Sequence, residues 1–273
     1  MTAEWEGSFA DLHNHLVPGV DDGARTLEEA LEGVKRFRDA GIRLVATTPH
    51  LEGGLTRNPA ELESRLDVLD EAWERLHAAV GESFPEMDLR RGYEIMIDVP
   101  DPDLTNPSLA LGGTSFVLVE WPRLRVPPET IRVLARIRES GVRPVLAHPE
   151  RYHGLDEDLE LPGEWRSVGA FLQVNYGSLL GRYGQEPRER ALRLLERGWV
   201  DLLSSDFHGR VHLPVFFREV EELFAEADGG EQFVTLARTN TRRILDDQEP
   251  ASVRPLDVSR GVWSRLRSLL RGE

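Results

Sequence analysis

The chain has 273 residues, 40% hydrophobic and 30% charged, which is enough for one well-buried core. Its formal charge of −15 repels phosphate backbones, so nucleic acid is a disfavoured partner. The absence of cysteine excludes disulfides, zinc-thiolate sites and a cysteine nucleophile. No signal-peptide pattern and no membrane-spanning apolar run is found, so we expect a cytoplasmic protein without a transmembrane segment.

The first patterned stretch, residues 9–24, predicts a short strand followed by a loop rich in Gly, Pro and Asp. His13 and His15 stand at i and i+2 where this strand ends, so both rings point to the same side and can converge on one ion. Asp21 and Asp22 follow in the loop. The stretch is therefore a candidate source of metal ligands.

A helix is predicted next, because Thr26 and Glu29 have the spacing of a capping box and Gly41 that of a C-cap. Apolar runs predict further strands over 42–48, 87–95, 115–120, 142–147, 170–175 and 199–204. Helical periodicity predicts helices over 59–81, 128–140, 161–168, 187–197, 213–227, 235–245 and 258–270. This repeated alternation favours parallel strands with crossover helices.

Metal-ligating residue types recur at the carboxyl ends of the predicted strands: His13, His15, His50, Glu94, Glu120, His148, Asp206 and His208. An open doubly wound sheet gathers its chemistry at one switch point, whereas a closed ring brings every strand end together. We therefore predict an α/β fold, a distorted TIM-like (β/α)7 barrel, over residues 1–250. Residues 251–273 predict an amphipathic basic helix packed on the barrel, with contact to a membrane surface or a partner as the alternative.

The ligand set combines imidazoles with carboxylates and lacks thiolates, which favours Mn(II), with Fe or Zn as alternatives. Eight ligands exceed the needs of one ion, so we predict two or three metals bridged by the Glu94 carboxylate. A centre of this kind hydrolyses phosphate esters by attack of a metal-bound hydroxide.

Arg151 and Arg210 directly follow predicted ligands and are candidate catalytic residues that bind phosphate. The alternative for Arg151 is an ion pair with a neighbouring carboxylate. Asp22 is a candidate general acid or a residue that orients a ligand histidine, and plain turn chemistry is the alternative.

Eight segments resemble the motifs of one known group of proteins: DLHNHLVPGVDDGA, ATTPH, GYEI, LVEWP, LAHPERY, LQVNYGSLLGRYG, SSDFHG and NTRRIL. They are similar in order and separation to the PHP (polymerase and histidinol phosphatase) superfamily, and within it to the CpsB/CapC-type bacterial metal-dependent protein tyrosine phosphatases. LAHPERY is the most specific match, and the resemblance covers residues 9–245.

The resemblance implies a PHP fold and a Mn-dependent phosphatase that acts on phosphotyrosine of a bacterial tyrosine autokinase controlling capsular or exopolysaccharide synthesis. By this resemblance, the eight strand-end residues correspond to the family's metal-binding positions, and Arg151 corresponds to its phosphate-binding arginine. Gly209 and Arg210 depart from the family pattern, which leaves the second phosphate-binding arginine open. The alternatives are a small-molecule phosphoesterase of the histidinol-phosphatase type, a non-catalytic metal-binding module and, least favoured, a nuclease.

Overall fold

The structure, a computed structural model, describes residues 7–155, 159–210 and 212–257. Its strands are β1 (Phe9–Asp11), β2 (Ile42–Thr47), β3 (His50–Glu52), β4 (Asp88–Arg91), β5 (Glu94–Met96), β6 (Phe116–Glu120), β7 (Arg143–Ala147), β8 (Phe171–Asn175) and β9 (Leu202–Ser204). All neighbouring strands pair in parallel, in the orders β1-β2-β4 and β3-β5-β6-β7-β8-β9. Because β3 continues β2 and β5 continues β4, the two sheets together contain seven strand paths.

Backbone hydrogen bonds join the first strand path to the last. The Asp206 N–H donates to the His13 carbonyl and the His15 N–H donates to the Phe207 carbonyl, both at 2.8 Å. Asn14 and Phe207 also form a parallel bridge. The ring of seven strand paths therefore closes, and the predicted α/β barrel is confirmed.

The strand predicted over 87–95 is interrupted at Gly92 and Tyr93, between β4 and β5. A Cβ added at Gly92 would lie 2.7 Å from the Leu111 side chain, so the backbone there needs a residue without one. Two short strands thus replace the single predicted one.

Helices surround the barrel: α1 (Leu27–Ala40), α2 (Pro59–Ser83), α3 (Thr130–Glu139), α4 (Glu160–Ser167), α5 (Tyr176–Leu179), α6 (Gln185–Glu196), α7 (Phe217–Glu226), α8 (Gly230–Val234) and α9 (Asn240–Leu245). Five residues of π-helix, Thr235–Thr239, join α8 to α9. One apolar cluster lies between strands and helices, and a second fills the barrel interior. Ile244 and Leu245 of α9 belong to the interior cluster, so the polar site lies at the opposite, carboxyl end of the strands.

Local sequence signals explain most helix ends, with two corrections. Thr26 caps α1 by accepting from the Glu29 N–H, but the Glu29 carboxylate bonds to Arg25, so the capping box is only half formed. Helix α2 runs through Gly81, where it was predicted to stop, and ends at Ser83. Pro85 disfavours helical geometry at Phe84, which is the stronger stop signal.

The described part of the C-terminal segment packs on the barrel. The Ala251 N–H donates to Asn240 Oδ1 at 2.7 Å, and the Leu256 N–H donates to the Leu195 carbonyl at 3.0 Å. The helix predicted over 258–270 lies outside the described residues. Among the helices that are described, none has the length and apolarity needed to cross a membrane.

Candidate metal centre

The eight residues predicted as metal ligands converge at the carboxyl end of the barrel, and Glu94 lies at their centre. Its carboxylate is fully buried and approaches four imidazoles: His148 Nε2 at 2.9 Å, His13 Nε2 at 3.2 Å, His50 Nδ1 at 3.2 Å and His15 Nε2 at 3.3 Å. Glu120 Oε1 is 3.6 Å from His50 Nδ1, and Asp206 Oδ1 is 3.4 Å from His13 Nε2. The strand ends therefore form one contiguous cluster.

Three imidazoles are oriented by hydrogen bonds at Nδ1. Their acceptors are Gln173 Oε1 for His13 at 2.8 Å, Asp21 Oδ2 for His15 at 2.8 Å and the Asp206 carbonyl for His208 at 2.9 Å. Because these oxygens accept, each ring donates through Nδ1, and Nε2 is the nitrogen that faces the cluster and can bind a metal ion once it is unprotonated. Histidines that bind metal ions typically have this arrangement.

Four buried atoms of the cluster lack a hydrogen-bond partner among the described residues: His13 Nε2, His15 Nε2, Glu94 Oε2 and His148 Nδ1. Unpartnered buried polar atoms are costly, and a bound cation would satisfy the first three, which lie close together. Four overlapping groups have ligand atoms within 4.8 Å of one another, namely His15/Asp22/His50/His208, His13/His15/Glu94, His13/His148/Asp206 and His50/Glu94/Glu120. The donor set therefore fits more than one metal ion, with Glu94 shared between two groups.

The crowded charges shift the ionisation of the cluster. Burial lowers the pKa of His13, but the carboxylates of Glu94 and Asp206 outweigh it and raise that pKa to about 9. Burial, followed by the charge of Glu94, raises the pKa of Glu120 to about 8. Without a cation, the cluster thus retains protons that metal binding would displace.

Two residues of the cluster have left-handed backbone conformations, His148 with φ 34° and Asp206 with φ 52°. Such conformations cost free energy outside glycine and concentrate at functional sites. They turn both side chains at the point where their strands end.

Arg151 lies at the edge of the cluster, with 20% of its side chain exposed. Its NH1 donates to Asp206 Oδ2 at 2.6 Å, and its guanidinium lies 4.2 Å from the centroid of the Tyr183 ring. The ion pair considered as an alternative is therefore present. The same contact fixes the guanidinium beside the metal ligands, where it faces a cleft.

The two aspartates of the first loop have different surroundings. Asp21, rather than Asp22, orients a ligand histidine: it accepts from His15 and also from the backbone N–H groups of Gly23 and His50. The Asp22 side chain is 65% exposed. Asp22 Oδ1 lies 3.4 Å from Nε2 of both His50 and His208.

Arg210 lies beside the same loop. Its NH2 donates to the Asp22 carbonyl at 2.6 Å and its NH1 to the Gly23 carbonyl at 3.4 Å. These bonds tie the loop after β9 to the loop after β1. Arg210 also lines the cleft next to Arg151.

Gln173 and Asn175 of β8 are site residues that the sequence argument did not single out. Gln173 Nε2 donates to Asn175 Oδ1 at 2.8 Å, and Asn175 Nδ2 donates to Asp206 Oδ2 at 2.8 Å. Since Gln173 also accepts from His13, one amide chain connects two predicted ligands. Polar residues at i and i+2 on a fully buried strand were the available signal.

Two clefts flank the cluster. The arginine cleft, about 240 Å³, is lined by Arg151, Arg182, Tyr183, Ser205, Asp206, Phe207, His208, Arg210, Leu213, Pro214 and Phe216. The carboxylate cleft, about 420 Å³, is lined by Val20, Asp21, Asp22, His50, Leu51, Glu52, Arg65, Met96 and Glu120. Among the described lining residues, arginines predominate in the first cleft, where Asp206 is the one carboxylate, and carboxylates predominate in the second, where Arg65 is the one arginine.

A parallel barrel whose strand ends present imidazoles and carboxylates suited to several cations belongs to the class of metal-dependent barrel enzymes. The Escherichia coli phosphotriesterase homology protein shares the fold, with a TM-score of 0.51, 14% identity, and 88% of this chain and 99% of that chain covered. A chain from the crystal structures of the metal-dependent tyrosine phosphatases YwqE from Bacillus subtilis and CpsB from Streptococcus pneumoniae superposes with a TM-score of 0.73. It is 27% identical and covers 92% of this chain and 100% of its own.

Sequence comparison leads to the same group. Tyrosine-protein phosphatase YwqE of Bacillus subtilis is 29% identical over 253 residues, with 92% of this chain and 96% of YwqE covered. Tyrosine-protein phosphatase CpsB of Streptococcus agalactiae is 26% identical over 242 residues, with 86% of this chain and 97% of CpsB covered. Residues 9–246 match the family described as capsular polysaccharide synthesis, CpsB/CapC. The chain belongs to the CpsB/CapC family.

Proposed function

We propose that this protein is a metal-dependent protein tyrosine phosphatase that removes phosphate from a bacterial tyrosine autokinase regulating capsular or exopolysaccharide synthesis. The observation that carries the proposal is the arginine cleft, which joins the metal-ligand cluster to three arginines and an apolar wall. Family membership supports the same activity, because the relatives YwqE and CpsB are tyrosine-protein phosphatases. We also propose Mn(II) as the metal, on the basis of the imidazole and carboxylate ligands.

The residues proposed to hold two or three ions are His13, His15, His50, Glu94, Glu120, His148, Asp206 and His208, joined by Asp22. When bound by these residues, metal ions would supply an activated water and charge neutralisation at the phosphate oxygens. Asp22 does not serve as the general acid in this scheme. Its hydrogen bond with His208 holds its pKa well below the usual range, so it remains an ionised acceptor.

Arg151 is proposed to bind the phosphate directly. Its ion pair with Asp206 and its stacking on Tyr183 orient the guanidinium before the substrate arrives, which reduces the entropy lost on binding. Arg210 borders the same cleft and keeps the Asp22 loop in position. Both arginines compensate for the negative charge of a phosphate entering an acidic protein.

Tyrosine phosphate suits this site for two reasons. Phe207, Leu213, Pro214 and Phe216 line the cleft and can contact an aromatic ring. A phenol has a pKa near 10 and leaves as phenolate more readily than an alcohol, so departure needs little proton donation.

The proposal is tested with purified protein stripped of metal and reloaded with Mn(II). We expect metal-dependent hydrolysis of a phosphotyrosine peptide that exceeds hydrolysis of the matched phosphoserine peptide and of histidinol phosphate. Turnover of none of the three would refute the enzymatic function. Preference for histidinol phosphate would identify a small-molecule phosphoesterase instead.

Two variants separate metal binding from phosphate binding. His148→Ala removes an imidazole next to Glu94, so we expect loss of bound metal in elemental analysis. Arg151→Ala should retain the metal and lower kcat/KM by about 10²-fold, the usual effect of losing one preorganised donor to the transition state. Arg132→Ala, an exposed arginine paired with Glu129, is the control. Unchanged kinetics in Arg151→Ala would show that Arg151 does not bind phosphate.

A further inference from the structure

Arg182 is the arginine of the arginine cleft that has no role in the scheme above. Its side chain is exposed, and it has no hydrogen-bond or ion-pair partner among the described residues. The two other cleft arginines are engaged, Arg151 with Asp206 and Arg210 with the loop carbonyls. Arg182 therefore offers an uncompensated positive charge at this entrance.

The backbone holds Arg182 at a defined place on the cleft wall. Its N–H donates to the Gly177 carbonyl at 2.9 Å, and the turn is bounded by Gly181 (φ 77°) and Gly184 (φ 101°). The Arg182 Cβ lies only 3.3 Å from where a Cβ on Gly177 would stand, so the start of the side chain packs against the backbone. Tyr183, the next residue, supports the Arg151 guanidinium.

The surrounding charges favour an anion at this position. Asp206 is the one carboxylate among the described residues that line the arginine cleft, and Arg151 already neutralises it. Four other acidic residues, Asp21, Asp22, Glu52 and Glu120, line the carboxylate cleft instead. Because the chain as a whole carries −15, an unpaired arginine beside two others is a local exception.

We propose that Arg182 forms a second anion subsite, which binds a carboxylate or phosphate carried by the substrate peptide near its phosphotyrosine. This inference rests on the proposed phosphatase function and adds a substrate class, phosphotyrosine segments with a neighbouring acidic or phosphorylated residue. Arg182 therefore affects which phosphotyrosine peptides bind. Among the described residues, its side chain forms no hydrogen bond or ion pair with the metal-ligand cluster.

The test uses three phosphotyrosine peptides that differ only beside the phosphotyrosine: one neutral, one with glutamates and one with a second phosphotyrosine. We expect the Mn(II)-loaded protein to prefer the acidic peptides by about threefold in kcat/KM, as for an exposed charge pair. Arg182→Ala should abolish this preference, and Arg182→Glu should reverse it. The glutamate and double-phosphate arms show which anion is favoured.

Arg75→Ala is the matched control, since Arg75 is an exposed arginine on α2 that lines neither cleft. It should keep the wild-type preference, and the wild-type preference should weaken with added salt. An identical preference in wild type and Arg182→Ala would overturn the subsite. Absence of turnover on every peptide would instead refute the phosphatase function, and binding of the same peptides, measured by fluorescence anisotropy, would then still test Arg182.

Discussion

The arginine cleft and the carboxylate cleft border the same cluster yet carry opposite charges. Arg151, Arg182 and Arg210 line one, whereas Asp21, Asp22 and Glu120 line the other. A phosphate ester is attracted to the first and repelled by the second, while cations show the reverse preference. The difference indicates that a phosphate ester approaches the cluster from the arginine side.

The largest expected effect comes from neutralising Glu94, the carboxylate at the centre of the cluster between the two clefts. Glu94→Gln preserves shape but leaves four imidazoles facing a neutral amide, so metal affinity should fall sharply. We expect kcat/KM to decrease by about 10³-fold, since the lost metal centre contributes several kcal/mol to the transition state. Elemental analysis and kinetics at saturating Mn(II) measure the two effects.

Glu52→Gln is the control for this substitution, because Glu52 is an exposed carboxylate of the carboxylate cleft. It should retain both metal and activity. If Glu94→Gln bound metal as the wild type does, Glu94 would not be a central ligand.

A smaller effect is expected from a substitution in the amide chain of Gln173 and Asn175, which contacts Asp206 of the arginine cleft. Asn175→Leu keeps the approximate size of the side chain but removes the donor to Asp206. Metal affinity or kcat/KM should fall about 10- to 100-fold, as for other residues that orient metal ligands. Asn175→Asp tests whether charge as well as the lost donor matters, because a second carboxylate would repel that of Asp206. Equal behaviour of wild type and Asn175→Leu would show that the amide is dispensable.

The protons held by the metal-free cluster predict pH-dependent metal binding. The pKa of Glu120 is raised to about 8 and that of His13 to about 9, so both groups are protonated at pH 7. Ligation requires the ionised carboxylate and the neutral imidazole, so binding releases these protons and affinity increases with pH up to about 9.

The slope should be about tenfold in affinity per pH unit for each proton released. Calorimetric titration of apo protein with Mn(II) at pH 6.5 to 8, in buffers of different ionisation enthalpy, measures it. A pH-independent affinity would contradict the assigned protonation states.

The smallest effect is expected from Arg210→Ala. The substitution removes the bonds from NH1 and NH2 to the loop carbonyls of Gly23 and Asp22 and one positive charge from the arginine cleft. We expect KM for a phosphotyrosine peptide to rise by about threefold to tenfold with metal content unchanged, as for partly exposed hydrogen bonds. A decrease confined to kcat would assign Arg210 to the transition state and sharpen the contrast between the clefts.

Periodicity and strand ends were sufficient to predict the barrel, because each strand and crossover helix leaves a local pattern. The candidate ligands were found for the same reason. His50, Glu120 and His148, for example, all stand where an apolar run stops, and parallel strands share one carboxyl edge. The strand interruption at Gly92 was not predicted; the backbone there lies against Leu111, nineteen residues away in sequence.

The sequence also did not predict that Asp21 is the aspartate that orients His15. No sequence pattern distinguishes two adjacent acids in a Gly-rich loop. Only the folded path of the loop directs Asp21 towards His15 and Asp22 towards His208. The partners of Arg151 were ambiguous for a similar reason. Its distance from Asp206 and Tyr183 depends on how the loops after three strands meet.

The sequence by itself determined the residue types of the His13 and His15 stretch, their common side of the strand and their capacity to bind metal. Tertiary structure decided which groups orient those rings, which atoms remain unpartnered and which charges lie on each side. The physical reason is the separation along the chain of the residues that interact. Strand alternation acts over two residues, whereas the contact of His13 with Asp206 depends on closure of the whole barrel.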